Sequence, residues 1–164
     1  MSTMSTDGTP DDVDTYRQHA PELTRYATVL VGPDDAADIV ADAVLSAMRS
    51  PAWRHVEHRR AYLYRAVLHT SASFQRSTAR RRRREDLVAA RATPEPTIDE
   101  TSIDARRTLA VLSPQQRAVV FLTYWHDQDR ATVARTLAVS DGTVRRQLAR
   151  AHRRLRKELD ERAT

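Results

Sequence analysis

The sequence predicts an all-α protein made of two small helical lobes joined by a flexible linker, with a helix-turn-helix in the second lobe. Ala, Leu, Arg and Val fill segments with a period near 3.6 residues, and no stretch shows the period-2 alternation of strands. Glycine is rare, with 3 among 164 residues. Residues 89–102 interrupt the helical pattern with proline, threonine and acids, a composition typical of linkers. We therefore expect lobes at 11–84 and 108–162, joined by a linker at 85–107.

Three helices are expected in the first lobe. The first covers residues 13–31 and contains Pro21, which could kink or restart it. The second begins at Pro33, a residue suited to the first helical turn, and its apolar side chains recur at i, i+3, i+4 and i+7. Ser50-Pro51 ends this helix, and a third covers residues 59–84. The five arginines that close the third helix indicate either a structured phosphate contact or a disordered basic patch.

The second lobe begins with a strong helix-start signal. Ser113 can cap a helix in which Pro114 takes the first position. Apolar side chains then follow at helical spacing and are expected to face inward: Ala118, Val119, Leu122 and Trp125. Together with the two helices that follow, this helix predicts a compact three- or four-helix unit.

Residues 131–159 combine a helix-turn-helix pattern with a row of arginines. Residues 132–137 end a bracing helix, residues 138–140 form the turn with Val139 between the helices, and Ser140 caps the second helix. The spacing of the apolar residues Val144, Leu148, Ala151 and Leu155 leaves the arginines outward. A solvated face is the plain alternative for such arginines, but a braced and capped helix is typical of a reader of the major groove of duplex DNA.

Charge is segregated along the chain. The net charge is +5, yet acids dominate the first fifty residues and residues 54–84 are almost wholly basic. The basic part would attract nucleic acid, whereas an acidic surface favours a protein partner. The chain has no cysteine, which excludes disulfides and thiolate metal sites within it. Its polar N-terminus and the lack of a long apolar run predict a cytoplasmic location without membrane insertion.

The sequence shows no recognisable set of catalytic residues. His55 and His58 lie three residues apart, but no carboxylate or cysteine accompanies them at a useful spacing for a metal. The first lobe also lacks the α/β pattern of a recombinase. We therefore expect no enzymatic activity, no catalytic residue, no metal site and no cofactor.

Both lobes together resemble one family, the extracytoplasmic-function (ECF) sigma factors. Residues 23–84, which include LVGPDDAADIVADAVLSAM and RAYLYRAV, are similar to region 2 of that family. Residues 112–159, which include LSPQQRAVVFLTYW and SDGTVRRQLARAHRRLRKEL, are similar to region 4. The most specific piece is Asp141-Gly142-Thr143-Val144, where such sigma factors commonly carry an acid, Gly, Thr and Val. The sequence departs from the family at Leu68-His69 and Ser73, where Arg-Asn and then Asp are usual.

The resemblance implies a subunit that docks on RNA polymerase core, recognises promoters and helps to melt them. It implies polymerase contacts at Asp38, Ile39, Asp42 and Leu45, although Asp38 and Asp42 could also be plain exposed positions. It implies readers of the upstream, −35-type element at Ser140, Asp141, Thr143, Arg145, Arg146 and Arg150. It implies contacts to the melted, −10-type element at Tyr64, Arg65, His69, Phe74, Arg76, Arg80, Arg81 and Arg83.

Melting needs side chains that hold an unstacked base and cations that steer the single strand. Tyr62 is a further candidate for this role, although its position fits the core better. His69 stands where the family commonly has an Asn that holds a base. The resemblance therefore does not predict which base the downstream contact prefers. The family also implies an anti-sigma protein as a partner. The alternative function is that of a helix-turn-helix DNA-binding regulator that never acts as a sigma subunit.

Overall fold

The computed structural model describes residues 10–86 and 100–163, and every regular element in these ranges is helical. This confirms the all-α fold predicted from the sequence. None of the described helices is long and apolar enough to cross a lipid bilayer. The helices are α1 (Pro10–Val31), α2 (Pro33–Arg49), α3 (Arg59–Asp86), α4 (Glu100–Ala110), α5 (Pro114–Tyr124), α6 (Arg130–Leu137) and α7 (Asp141–Ala163), with a 3₁₀ turn at Pro51–His55.

The first lobe is a bundle of α1, α2 and α3, as predicted. The first helix runs without a break through Pro21, whose side chain is exposed. Gly32 joins α1 to α2 with a φ of 96°, a left-handed conformation that side chains disfavour. After α2, the Ser50 hydroxyl accepts the backbone N–H of Ala52 at 3.3 Å and so caps the 3₁₀ turn, in which Trp53 is buried.

The second lobe contains four described helices, within the expected three or four, and the first of them, α4, begins in the segment that was expected to be linker. Residues 100–107, assigned to the linker, belong to α4, and the rest of that expected linker from residue 87 to residue 99 lies outside the described residues. Leu109 and Val111 pack against a cluster formed by Leu112, Val120 and Ala151. A short helix with few apolar residues is stabilised by such packing rather than by its own propensity, so its sequence pattern is weak.

The next helix starts as the sequence predicts. The backbone N–H of Gln116 donates to Ser113 Oγ at 3.3 Å, and the Gln116 side chain accepts the N–H of Ser113 at 3.1 Å, which completes a capping box. Ala118, Val119 and Leu122 face inward as expected. Trp125 does not, because α5 ends one residue before it and leaves the indole 63% exposed. The expectation of an inward Trp125 was therefore wrong.

The two lobes share one continuous apolar core. The buried cluster that contains Leu23 and Leu63 of the first lobe extends to Val119 and Leu122 of the second. Helices α1 and α3 both pack against α5, and α3 also packs against α6. The sequence predicted two lobes but gave no sign that they would close on each other.

Candidate nucleic-acid and polymerase interfaces

The helix-turn-helix is built on a sharp turn between α6 and α7. Ala138 adopts the left-handed conformation with a φ of 54°, and its N–H contacts the carbonyls of Ala134 and Arg135. The N–H of Val139 also donates to the Ala134 carbonyl, at 3.0 Å. The Val139 side chain packs against the core between the helices, as the sequence predicted. This turn fixes the angle at which α7 leaves the bracing helix.

The start of α7 is capped by its own side chains. Ser140 Oγ accepts the backbone N–H of Thr143 at 3.1 Å and lies 2.9 Å from the Thr143 hydroxyl, which confirms the predicted cap. Arg146 donates to Thr143 Oγ1 at 3.1 Å, and Arg130 of α6 donates to Asp141 Oδ1 at 3.2 Å. These contacts hold the polar groups of the first helical turn in fixed positions.

The exposed face of α7 is strongly basic. Val144 and Ala151 are fully buried and set the orientation of the helix. The opposite face exposes Arg145, Arg146 and Arg150. Because the buried face anchors the helix to the lobe, these three guanidinium groups lie on its solvent side, where a DNA backbone or base edge could reach them.

One arginine of α7 has a structural role that the sequence did not reveal. Arg154 Nη1 donates to the carbonyl of Val111 at 3.2 Å and to Gln116 Oε1 at 3.1 Å. It thereby ties α7 to the capping box of α5. Nothing in the helical spacing distinguishes Arg154 from the arginines of the DNA-facing row.

The long helix α3 carries the other basic surface. His69, Arg76 and the arginine run from Arg80 to Arg84 are exposed, and Arg76 donates to the hydroxyl of Ser73 at 3.1 Å. Arg65 is half-buried, donates to the carbonyl of Thr136 at 3.3 Å and lies over the ring of Tyr62. Phe74 is partly buried and packs against the core.

Tyr64 lies in the interior, in contrast to these neighbours. Its side chain is fully buried and its ring packs on Tyr26, with centroids 4.8 Å apart. In this arrangement of the lobes Tyr64 cannot stack on a DNA base, which corrects the expectation drawn from its position in RAYLYRAV. Tyr62 is only half-buried and packs edge-on against Trp53, with centroids 5.9 Å apart.

A polar cluster surrounds the Tyr64 hydroxyl. Glu22 accepts a bidentate pair of hydrogen bonds from Arg60, at 2.9 and 2.8 Å, and lies 3.1 Å from the Tyr64 hydroxyl and 2.8 Å from His19 Nδ1. Burial opposes ionisation of Glu22, but the hydrogen bonds from Arg60, His19 and Tyr64 outweigh it and lower its pKa. His126 Nε2 lies 3.1 Å from the same hydroxyl, and burial with the charge of Arg60 lowers the pKa of His126.

The outer face of α2 is acidic with one large exposed apolar side chain, that of Leu45. Asp38 and Asp42 are exposed, and Leu45 is 50% exposed beside them. Ile39 is only 4% exposed and belongs to the core. Its burial corrects the expectation that Ile39 itself contacts the polymerase, since it supports the acidic face from beneath. In the part of the chain that the structure describes, no three His, Asp or Glu side chains are grouped as a metal ion requires.

Two packed helical lobes, with a braced helix-turn-helix and exposed arginines on α3 and α7, are typical of a DNA-binding protein. Comparison with known proteins makes this class more specific. Residues 102–155 match the family model described as Sigma-70, region 4. The chain is 34% identical over 152 residues to the RNA polymerase sigma-E factor of Streptomyces coelicolor, covering 87% of this chain and 82% of that protein.

It is also 33% identical over 160 residues to the ECF RNA polymerase sigma factor SigL of Mycobacterium tuberculosis, covering 89% of this chain and 87% of that protein. Two solved structures share the fold. The sigma factor RpoE in complex with the anti-sigma factor NepR, from Bartonella quintana, has a TM-score of 0.68 at 22% identity and covers 93% of this chain and 98% of its own. CnrH in complex with the cytosolic domain of CnrY has a TM-score of 0.64 at 23% identity and covers 94% and 91%.

The chain belongs to the ECF sigma factors of RNA polymerase. Its function is therefore to bind the polymerase and direct transcription from specific promoters. The alternative of a DNA-binding regulator that never acts as a sigma subunit is not favoured by these relatives.

Proposed function

We propose that α7 reads the upstream promoter element, that α3 contacts the melted downstream element, and that the acidic face of α2 docks on RNA polymerase core. The observation that carries this proposal is the exposed arginine row on a helix whose cap and bracing turn are fixed. We assign upstream contacts to Arg145, Arg146 and Arg150, with Ser140, Asp141 and Thr143 at the start of the helix.

The downstream contacts follow from charge and accessibility on α3. His69 and Arg76 are exposed, and the run from Arg80 to Arg84 continues their surface toward the end of the helix. Cations along a helix suit the backbone of a single strand, and an imidazole can stack on or hydrogen-bond to an unstacked base. We assign Arg65, His69 and Arg76 to this strand with Arg80, Arg81 and Arg83. Phe74 and Tyr64 could join them only after rearrangement of the surrounding core.

The polymerase contact is assigned to Asp38, Asp42 and Leu45. Two carboxylates beside an exposed leucine offer charge complementarity to a basic partner together with an apolar anchor. Such a protein acts in the cytoplasm, where the polymerase is, and performs no bond chemistry of its own. An anti-sigma protein is a proposed further partner, because a solved structural neighbour is a sigma factor in complex with one. We also propose that the promoter-binding units correspond to residues 11–84 and 108–162, with the start of α4, from residue 100, joined to the second of them.

The upstream assignment is tested by selection of bound duplexes from a random pool. Arg145→Ala should weaken binding of the preferred duplex by about 1–3 kcal/mol and relax the choice of base at one position. Arg156→Ala removes an exposed arginine of the same helix outside the assigned row and serves as the matched control. An unchanged base preference in the Arg145 variant would contradict its assignment as a reader of base edges.

The docking face is tested by affinity for polymerase core. Asp38→Arg should weaken core binding at least tenfold, because it places a like charge against a basic partner. Asp14→Arg changes the same charge at an exposed position of α1 and should leave the affinity unchanged. Normal core affinity of the Asp38 variant would place the polymerase contact elsewhere.

A further inference from the structure

Two acidic side chains in the first turn of α1 are bonded to a distant part of the chain. Asp12 Oδ1 accepts the indole N–H of Trp53 at 2.8 Å, across 41 residues of sequence. Asp11 accepts a hydrogen bond from Arg59, the first residue of α3, across 48 residues. Acids near the N-terminus were expected to favour a protein partner, whereas these two carboxylates have partners within the chain.

Trp53 depends on the bond to Asp12 for its position. Its ring is 2% exposed, and a buried indole N–H, which can only donate, needs an acceptor. A carboxylate acceptor makes this bond charge-assisted and so stronger than a bond between neutral groups. Trp53 belongs to a 3₁₀ turn of five residues, a type of turn whose own hydrogen bonds have poor geometry. The Asp12 carboxylate therefore determines where the turn places the indole.

The ring of Trp53 passes the contact on to α3. The ring of Tyr62 packs edge-on against it, one turn into the helix. The guanidinium of Arg59 lies 5.1 Å from the centroid of the Trp53 ring, and that of Arg65 lies 5.6 Å from the centroid of the Tyr62 ring. Contacts therefore run without a gap from Asp12 through the two aromatic rings to Arg65.

The far end of this series of contacts lies at an open groove. Tyr62 and Arg65 line a groove of about 870 Å³, together with His55, His58 and Arg59. Arg65 is assigned above to the melted strand, and Tyr62 is only half-buried. An aromatic ring beside a guanidinium suits an unstacked base and its phosphate, provided that both side chains are held in place.

Charge alone would give Asp12 the opposite effect on DNA binding. A carboxylate beside a DNA-facing groove repels phosphates, so its removal should tighten binding. If the carboxylate holds the aromatic rings in place, its removal should weaken binding instead. The direction of the change therefore distinguishes a positioning role from simple repulsion.

We propose that Asp12 is a positioning residue for the melted downstream strand, and that it acts through Trp53 on Tyr62 and Arg65. This inference rests on the proposed function of α3. Asp12 contacts no DNA itself, and the duplex-reading helix α7 does not depend on it.

A double-mutant cycle tests this route. Asp12→Ala removes the acceptor, and Asp12→Asn keeps an acceptor oxygen without the charge. Trp53→Phe removes the indole N–H and keeps an aromatic ring, and the double variant of Asp12→Ala with Trp53→Phe completes the cycle. Asp14→Ala removes an exposed carboxylate of the same helix and is the matched control. Urea unfolding of each variant verifies that it is folded.

Single-strand binding is measured by anisotropy with a random-sequence single-stranded pool and the chain reconstituted with RNA polymerase core, with core alone as the background. Affinities for core and for a random-sequence duplex are measured separately, so that weaker assembly is not mistaken for weaker DNA binding. The chain has two tryptophans, so in a Trp125→Phe background acrylamide quenching reports on Trp53 alone.

We expect Asp12→Ala and Trp53→Phe each to weaken single-strand binding about three- to tenfold, with core and duplex affinities within twofold of the parent. The double variant should bind no more weakly than the weaker single variant, and Asp12→Asn should lose less because its side-chain oxygen still accepts. Asp14→Ala should bind a single strand as tightly as the parent or more tightly. Quenching of Trp53 should increase in Asp12→Ala.

Single-strand affinity of Asp12→Ala at or above that of the parent overturns the positioning role, and additive losses in the double variant overturn the route through Trp53. If Asp12→Ala does not fold, parent-like single-strand affinity of Trp53→Phe overturns the proposal. Arg83→Ala separates the two levels of the argument. A loss of binding with Arg83→Ala but not with Asp12→Ala leaves the role of α3 intact and removes only the role of Asp12. Single-strand binding of the parent no stronger than the background contradicts the role of α3, and this inference fails with it.

Discussion

Two buried tyrosines that pack against each other should respond in opposite ways when each is replaced by phenylalanine. Tyr26 and Tyr64 are both fully buried, and their ring centroids are 4.8 Å apart. The Tyr64 hydroxyl bonds to Glu22 and to His126, whereas the Tyr26 hydroxyl has no hydrogen-bond partner among the described residues. A buried hydroxyl without a partner costs about 1–3 kcal/mol, so its removal should stabilise the fold.

We expect Tyr26→Phe to raise the free energy of unfolding by about 1–2 kcal/mol and Tyr64→Phe to lower it by about 1–3 kcal/mol. For a chain of this size, 1 kcal/mol corresponds to about 2–4 °C in Tm. Urea unfolding followed by circular dichroism gives both values, and the unchanged ring makes each variant the control for the other. If Tyr26→Phe instead destabilised the protein as much as Tyr64→Phe, the Tyr26 hydroxyl would have a hydrogen-bond partner after all.

Gly32→Ala should lower the free energy of unfolding by about 1–2 kcal/mol, because the φ of 96° is strained for alanine, although nothing lies within 4 Å of the added carbon. An unchanged urea midpoint would contradict this expectation. Arg83→Ala should weaken binding to single strands of every sequence. It should also reduce the slope of log affinity against log salt concentration by about 0.7, the value for one phosphate contact, and an unchanged slope would exclude that contact. Because the pKa of His126 is lowered in the folded protein from 6.5, its contribution to stability is complete above pH 6.5 and is lost as the pH falls through the lowered value. His126→Gln should therefore reduce the loss of stability between about pH 7 and pH 5 in urea titrations, and an identical pH profile would assign that loss to other groups.

The sequence predicted the elements whose boundaries are chemically marked. Pro33, Ser113 and Ser140 each begin a helix as expected, because a cap or a proline at the first turn is a local signal that tertiary packing does not alter. The amphipathic patterns of α2 and α7 likewise identified their buried faces. These features belong to single helices, so a single stretch of sequence is sufficient to show them.

Features that depend on two segments at once were missed. Helix α4 is stabilised by packing on α7, and Arg117 looks like any other arginine until the ends of α1 and α4 are placed around it. Tyr64 was assigned to DNA from the resemblance of RAYLYRAV to the family, whereas Tyr26 of α1 and His126, just after α5, pack against its ring in the interior. Helical spacing alone does not show which lobe a face will meet.

This chain belongs to the sigma factors that direct RNA polymerase to promoters, and we propose that it does so through two DNA contacts. The most direct test of this claim is transcription by core polymerase with the purified chain on fragmented genomic DNA, followed by sequencing of transcript 5′ ends. We predict discrete start sites preceded by two shared sequence elements, with the upstream element altered by Arg145→Ala and all starts lost with Asp38→Arg. Duplex binding by the chain without any start-site-specific transcript would contradict the claim.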